Sequence, residues 1–259
     1  MYAIDLKGRH ALVMGVANHR SLSWAIAKCL HQAGASLCLT YAGDRLKSMV
    51  EELAAETPGA LVLECDVTRD ATIDAVAERL GREWGSLEIL VHGIAFARKE
   101  DLEGAFVATP REGFQLALDV SAYSLVSCAR AAEPLMEARG GGSILTMTYL
   151  GGERAVPHYN VMGVAKATLD SSMRYLAWDL GAKNIRVNAI SAGPVRTLSA
   201  RSIAGFPTME AIVEERSPLH RHVDADDVGA AAAYLLSDDA KNVTGTTLYV
   251  DSGYHAMGM

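Results

Sequence analysis

The sequence predicts an α/β fold in which a doubly wound parallel sheet of the Rossmann type forms a single domain over residues 1–259. Short apolar segments alternate with longer segments of helical periodicity, as expected for a parallel sheet with both faces covered. The chain has no internal repeat and no Pro-, Gly- or Ser-rich linker, and half of its residues are hydrophobic, which suits one large core. Right-handed crossovers then give the doubly wound order.

The predicted elements follow one another along the whole chain. Six or seven strands are expected, within 10–16, 35–41, 60–67, 87–95, 142–148, 185–191 and 246–251. Helices are expected at 21–34, from the second strand to about 56, and at 70–84, 111–138, 158–181, 208–216 and 225–236. The connections 94–110 and 191–207 are long and follow strand carboxyl ends, where such sheets bind ligands.

Composition and charge exclude several classes of protein. The formal net charge is −7 and the basic residues are dispersed, so no nucleic-acid partner is expected. The N-terminal stretch does not resemble a signal peptide, and no apolar run approaches the ~18 residues of a membrane span. The four scattered cysteines indicate reduced core residues of a cytoplasmic protein, and the dispersed histidines indicate no metal site: Cys29, Cys38, Cys65 and Cys128.

The segment PHYNVMGVAKATL, 157–169, holds Tyr159 and, seven residues later, Lys166. Seven residues make almost two helical turns, so both side chains share one face, with Cα atoms roughly 10 Å apart along the axis. The two groups can therefore flank one elongated ligand. The structural alternative is a packed Tyr followed by a solvated Lys.

The turn after the first strand, GVANHRSLSWAIA at 15–27, has features of a phosphate site. Gly15 permits a tight turn, Ser21 can cap the helix and bond a phosphate, and the helix N-terminus offers free N–H groups to an anion. Only Gly15 remains of the pattern G-x-G-x-x-G, so an ordinary strand-turn-helix is the alternative.

Three further strand ends carry candidate groups. Asp66, followed by Val67, could accept from an adenine amino group, or could simply open a turn. Gly93, in VHGIAFA, leaves room for a flat ligand, or marks a small-residue strand end. After the sixth strand, NAISAGPVRTLSA contains a rigid Gly-Pro turn followed by residues that could close over a nicotinamide and its pyrophosphate: Val195, Thr197 and Ser199.

These motifs, in this order, resemble the short-chain dehydrogenase/reductase superfamily, and more narrowly the bacterial enoyl-acyl-carrier-protein reductases of fatty-acid synthesis. The resemblance runs nearly end to end, from LVMGVAN through ERAVPHYNVMGVAKA to YVDSGYHAMGM. The superfamily pattern is Tyr-x3-Lys, but the position four after Tyr159 is Gly163. The enoyl reductases instead have Tyr-x6-Lys and an upstream Tyr, matched here by Lys166 and Tyr149.

The resemblance implies that reduced nicotinamide passes hydride to the β-carbon of a trans-2-enoyl thioester carried by acyl carrier protein. Tyr159 would hydrogen-bond the thioester oxygen, Lys166 would hold the ribose hydroxyls, Tyr149 would line the pocket, and Ala97 would touch the acyl group. A nearby ammonium is expected to favour the phenolate. The resemblance also implies a homotetramer with the helices 111–138 and 158–181 at interfaces. The positions implied for the dinucleotide are Gly15, Ser21, Leu22, Ala42, Asp66, Val67, Ile94, Lys166, Val195, Arg196, Thr197, Leu198 and Ser199.

The coenzyme is expected to be NADH, and NADPH is not excluded. Ala42 stands where many relatives carry Gln, no acidic residue marks the ribose 2′-hydroxyl, and Arg45 and Lys47 could receive a 2′-phosphate. Two other functions compete with enoyl reduction. A carbonyl reductase acting on 3-ketoacyl thioesters would use Thr146 as its hydroxyl, and a non-catalytic dinucleotide-binding sensor would keep only the fold.

Overall fold

The computed structural model describes residues 3–197 and 206–258, without the side chains of residues 206 and 207. In these ranges the chain forms one seven-stranded sheet, in the order β3-β2-β1-β4-β5-β6-β7, and every neighbouring pair is parallel. The strands are β1 (His10–Met14), β2 (Ser36–Tyr41), β3 (Leu61–Glu64), β4 (Ile89–His92), β5 (Gly142–Thr148), β6 (Ile185–Ala192) and β7 (Thr247–Val250). The predicted fold class is confirmed.

Helices cover both faces of the sheet. They are α1 (Leu22–Gln32), α2 (Asp44–Ala54), α3 (Asp70–Trp84), α4 (Lys99–Leu102), α5 (Arg111–Leu118), α6 (Ser124–Glu137), α7 (Asn160–Gly181), α8 (Phe206–Arg216) and α9 (Ala225–Leu236). One hydrophobic cluster joins α1, α2 and α9 to the sheet, and a second joins α3, α6 and α7 to the other face. A smaller cluster around Leu102, Ala117 and Tyr159 lies beside the carboxyl ends of the strands.

Two predicted segments differ in detail from the structure. The helix expected over 111–138 is divided by one wider turn, a π-helical segment at Asp119–Tyr123. There the Ser121 hydroxyl accepts from Phe96 N–H at 2.9 Å and donates to Phe96 O at 3.1 Å. The wider turn thus brings a polar side chain to the loop after β4, a long-range contact that helical periodicity does not encode. The connection 94–110, expected to be irregular, contains α4.

The order of strands reverses between β1 and β4, and glycine backbones pack together there. Gly15 has φ +85°, and a Cβ on it would lie 2.1 Å from the carbonyl oxygen of Gly93. Both positions therefore need glycine, one for its left-handed backbone and both for close approach. In doubly wound sheets the crevice at this reversal binds ligands.

Candidate active site

A cleft of about 350 Å³ opens at the carboxyl ends of the strands, beside the reversal of strand order. Ten of the residues expected to serve catalysis, the dinucleotide or the substrate line it: Gly15, Ser21, Leu22, Ile94, Ala97, Tyr149, Tyr159, Lys166, Val195 and Thr197. These residues come from segments far apart in the chain, which meet because parallel strands end at one edge of the sheet. Their individual roles remain predictions.

Tyr159 lies at the entrance to α7, on a turn of unusual backbone. His158 has φ 63° and Asn160 has φ 39°, so a left-handed residue stands on each side of the tyrosine. The Asn160 amide offsets part of this strain by donating to the carbonyl oxygens of Leu102 at 3.1 Å and Gly104 at 3.2 Å. The ring is 8% exposed and packs edge-on against Tyr149, with centroids 5.0 Å apart. The two phenols therefore hold each other in fixed orientations.

Lys166 is buried on α7 and lines the same cleft. Its Nζ donates to Met147 O, on β5, at 2.6 Å. Burial lowers the pKa of Lys166 to about 8, and the carboxylate of Asp170, one helical turn further on, opposes this shift. The structure thus has a sparsely solvated ammonium in the cleft instead of the solvated surface lysine of the structural alternative.

The spacing of Tyr159 and Lys166 follows from how α7 packs. A Cβ on Gly163 would lie 2.7 Å from the carbonyl oxygen of Gly151, so the first turn of α7 rests directly on the chain after β5. Gly163 is four residues after Tyr159, where the superfamily pattern has its lysine. A side chain there would meet backbone, and the ammonium instead comes from Lys166, three residues later.

The acidity of the phenols differs from what the sequence suggests. Burial raises the pKa of Tyr149 to about 12 and also raises the pKa of Tyr159. Neighbouring groups add to both shifts: Tyr254 at Tyr149, and Tyr149 and Asp170 at Tyr159. The expectation that an ammonium favours the phenolate is not met in this cleft, because desolvation of the charged form raises the pKa of Tyr159 and Lys166 does not lower it. Both phenols are therefore protonated at neutral pH and able to donate a hydrogen bond, as Tyr149 does to Met209.

The first βα turn differs from its prediction in one respect. Ser21 stands at the N-cap of α1, but its hydroxyl donates back to Asn18 O at 2.6 Å and does not cap the helix. The N–H groups of the first turn of α1 are therefore not capped by this side chain, and Ser21 and Leu22 line the cleft. A helix N-terminus for a pyrophosphate and the Lys166 ammonium for sugar hydroxyls make a donor set that fits a dinucleotide.

The residues expected near the adenosine end lie outside the cleft lining. Asp66 accepts from the Thr68 hydroxyl at 2.7 Å and pairs with Arg69 Nε at 3.2 Å, and these contacts lower its pKa. The structural alternative, an aspartate that opens a turn, is thus present, and the contact with adenine remains a prediction. Val67 is buried, whereas Ala42, Arg45 and Lys47 are exposed.

The chain after β6 enters the cleft in part. Val195 and Thr197 line it, whereas the guanidinium of Arg196 faces the carboxylate of Glu210, with Nε 2.7 Å from Oε1 and 3.0 Å from Oε2. A role of the Arg196 side chain at the dinucleotide remains a prediction. Leu198 and Ser199, the last two positions implied for the dinucleotide, lie outside the described residues.

Several lining residues were not found by sequence reasoning. The most informative is Met209 on α8, whose Sδ accepts from the Tyr149 hydroxyl at 3.1 Å. A methionine in the first turn of a short helix without a distinct apolar face carries no pattern that places it in a site. The others are mostly apolar residues of strands, loops and helices: Ala17, Ser23, Phe96, Leu102, Met147, Thr148, Met162 and Ala192.

Thr146, whose hydroxyl a carbonyl reductase would use, does not reach the cleft. Thr146 is fully buried and is not among the described residues that line it. Its Oγ1 lies 3.0 Å from His92 Nδ1, while Ser124 Oγ lies 2.8 Å from His92 Nε2. Burial and the charge of Lys166 lower the pKa of His92 to about 3, so this network holds a neutral imidazole in the core.

Over the described ranges, no group of three His, Cys, Asp or Glu residues is arranged to hold a metal ion. In the same ranges, no helix is both long and apolar enough to cross a membrane. The four cysteines are free thiols.

A Rossmann-type sheet with a buried Tyr and Lys in the cleft beside its switch point is typical of nicotinamide-dependent oxidoreductases of the short-chain dehydrogenase/reductase class. A family model described as enoyl-(acyl carrier protein) reductase matches residues 15–255. The chain belongs to this enoyl-acyl-carrier-protein reductase family.

Individual relatives agree over nearly the whole chain. The enoyl-[acyl-carrier-protein] reductase [NADH] of Bacillus cereus is 53% identical over 98% of this chain and 99% of its own. The corresponding [NADPH] protein of Staphylococcus aureus is 49% identical over 98% and 99%. The crystal structure of the Bacillus cereus enzyme with NADP+ and indole naphthyridinone superimposes with a TM-score of 0.96, at 52% identity over 99% and 100% of the two chains.

Proposed function

We propose that this chain is an NADH-dependent enoyl-[acyl-carrier-protein] reductase, which reduces the trans-2 double bond of enoyl thioesters in type II fatty-acid elongation. One observation carries the proposal: Tyr149, Tyr159 and Lys166 line a single cleft, while the close packing of Gly163 leaves no room for a lysine at the position where the superfamily pattern has one. A bound reduced nicotinamide would supply hydride to the β-carbon of the substrate. The chain's own residues would manage the charge that this transfer creates on the thioester oxygen.

Tyr159 is the group we assign to that oxygen. Its phenol is protonated because burial raises its pKa, so it can donate a hydrogen bond to the developing enolate. The left-handed residues at 158 and 160 and the edge-on contact with Tyr149 hold the ring before substrate binds. A donor fixed in advance does not have to reorganise as charge develops, which is the main source of electrostatic catalysis.

Lys166 is assigned to the sugar next to the nicotinamide. Its protonated form would donate to the ribose hydroxyls and add positive charge beside the enolate. The α-carbon then takes a proton from a tyrosine or from water through a relay. Tyr149 adjoins Tyr159 and is a candidate for this step, for which its hydroxyl would have to turn away from Met209, to which it donates at 3.1 Å.

Several of the residues that would hold the dinucleotide are part of the cleft lining. Gly15, Ser21 and Leu22 would meet the pyrophosphate at the N-terminus of α1, and Val195 and Thr197 would close over the nicotinamide. The NADH assignment is supported by relatives named as NADH enzymes. A relative named as an NADPH enzyme and the exposed Arg45 and Lys47 keep NADPH as a second coenzyme.

The direct test is loss of reduced-nicotinamide absorbance with purified protein. NADH and NADPH are each offered with a trans-2-enoyl thioester and with a 3-ketoacyl thioester. Turnover of the enoyl substrate alone is expected, with NADH preferred. Turnover of the ketoacyl substrate instead would reject the proposal, and binding of either coenzyme without turnover would favour a sensor.

The partner we propose is acyl carrier protein bearing the enoyl chain. We further propose that the protein is a homotetramer and that it is cytoplasmic. Tyr175 and Trp178, three residues apart on α7, are 72% and 84% exposed, which is unusual for large aromatic side chains on a free surface. Four free thiols suit a reducing compartment. Light scattering should give a mass about four times the 27.6 kDa of the chain; a monomeric mass would contradict this part.

A further inference from the structure

One buried carboxylate joins three segments beside the cleft. Glu210, on α8, has a side chain that is 9% exposed, and both of its oxygens accept from Arg196 Nε, at 2.7 and 3.0 Å. Arg196 belongs to the chain after β6. His222, which precedes α9, brings its Nδ1 to 3.8 Å from Glu210 Oε1.

The residues next to this ion pair line the cleft. Val195 and Thr197 flank Arg196, and Met209 directly precedes Glu210. The Met209 sulfur accepts from the Tyr149 hydroxyl at 3.1 Å, so α8 touches the tyrosine that packs against Tyr159. Any movement of α8 relative to the chain after β6 would change the wall of the cleft at Met209.

Arg196 and Glu210 differ in solvation, and this difference decides which of the two side chains depends more on the ion pair. The Arg196 side chain is 75% exposed and loses little when unpaired, whereas Glu210 is largely buried and would be left with an unpaired charge. The buried carboxylate of Glu210 therefore needs the guanidinium of Arg196 to compensate its charge. None of the chemical steps proposed above uses either side chain.

We propose that Glu210 is a positioning residue: by holding Arg196 it fixes α8 so that Met209 stays against Tyr149 and shapes the wall that contacts the acyl thioester. The inference rests on the proposed enoyl reduction for its substrate. The inference predicts that loss of the Glu210 charge affects KM and not kcat. Glu210 contributes to KM for the enoyl thioester, while kcat depends on Tyr159 and Lys166, which the ion pair does not touch.

The test compares two neutralising changes on the same helix. Glu210→Gln keeps the shape of the side chain and removes the charge that holds Arg196. Glu214→Gln, one turn later, removes a half-exposed carboxylate that is paired with His222 at 3.0 Å, and serves as the matched control. We expect Glu210→Gln to raise KM for a trans-2-enoyl thioester by about three- to tenfold with kcat within about twofold, and Glu214→Gln to leave both unchanged.

A second measurement does not depend on turnover. Amide hydrogen exchange of α8 should be faster in Glu210→Gln than in the wild type and unchanged in Glu214→Gln. The exchanged pair Arg196→Glu with Glu210→Arg should restore KM and exchange at least in part. If Glu210→Gln does not fold, Arg196→Gln removes the pair from its exposed side and should raise the same KM.

The outcomes separate this inference from the proposed function. Equal KM values for Glu210→Gln and Glu214→Gln overturn the positioning role, whatever the exchange rates. A wild-type protein inactive on enoyl thioesters rejects the proposed function instead, and the exchange comparison then decides alone whether Glu210 holds α8.

Discussion

Replacing Tyr159 by Phe removes one hydroxyl from the site and little else. The ring that packs against Tyr149 at 5.0 Å remains, and the helix entrance held by Asn160 is untouched. The free energy of unfolding should therefore change by less than about 1 kcal/mol. Because the phenol is 8% exposed, its hydrogen bond to a developing oxyanion would be weakly screened. Loss of one such donor costs about 3–4 kcal/mol, so kcat should fall roughly 10²- to 10³-fold.

The assay is steady-state oxidation of NADH with a trans-2-enoyl thioester, together with NADH binding by fluorescence. Binding should stay within about twofold, since the phenol acts on the substrate oxygen and not on the dinucleotide. Tyr149→Phe is the matched control, because it removes a hydroxyl from the adjoining ring, and a smaller loss of kcat is expected. A kcat of Tyr159→Phe within about fivefold of wild type would refute the assignment. An equal loss of kcat in Tyr149→Phe would indicate that the proton passes through Tyr149.

Three further predictions concern the lysine, the helix contact and the coenzyme. Since burial lowers the pKa of Lys166 to about 8, kcat/KM should decline as pH rises through about 8, and Lys166→Arg should move that decline upward; a profile flat to pH 10 contradicts it. Gly163→Ala should destabilise by about 1–3 kcal/mol in denaturant unfolding, because its Cβ would lie 2.7 Å from Gly151 O, whereas Gly181→Ala, which meets nothing within 4 Å, should be neutral or stabilising. Arg45→Ala should lower kcat/KM for NADPH by about three- to tenfold and leave NADH unchanged; equal losses would place Arg45 outside 2′-phosphate recognition.

The local pattern of the sequence was sufficient for the architecture. Apolar segments of strand length lie within a few residues of β1–β7, and the helix predicted at 70–84 has the bounds of α3. These agreements arise because hydrophobic periodicity and turn residues are encoded by neighbours in the chain. The spacing of Tyr159 and Lys166 is also visible at this level, although the structure begins α7 at Asn160 and leaves Tyr159 at its N-cap instead of inside the predicted helix 158–181.

Long-range packing decided the properties of the site. The sequence suggested that Lys166 would acidify Tyr159, but burial by residues from several segments raises the pKa of the phenol instead. The π-helical segment at 119–123 exists where Ser121 meets Phe96, and no periodicity announces it.

The sequence by itself determined the fold class, the order of elements and the pair of Tyr159, just before α7, and Lys166, on α7. Only the tertiary structure decided which neighbours surround them: Met209 against Tyr149, Gly163 on Gly151, and Glu210 on Arg196. The physical reason is the distance along the chain over which each interaction acts. Backbone propensity and amphipathic pattern act over a few residues, whereas desolvation, close packing and ion pairing depend on groups that only the folded chain brings together.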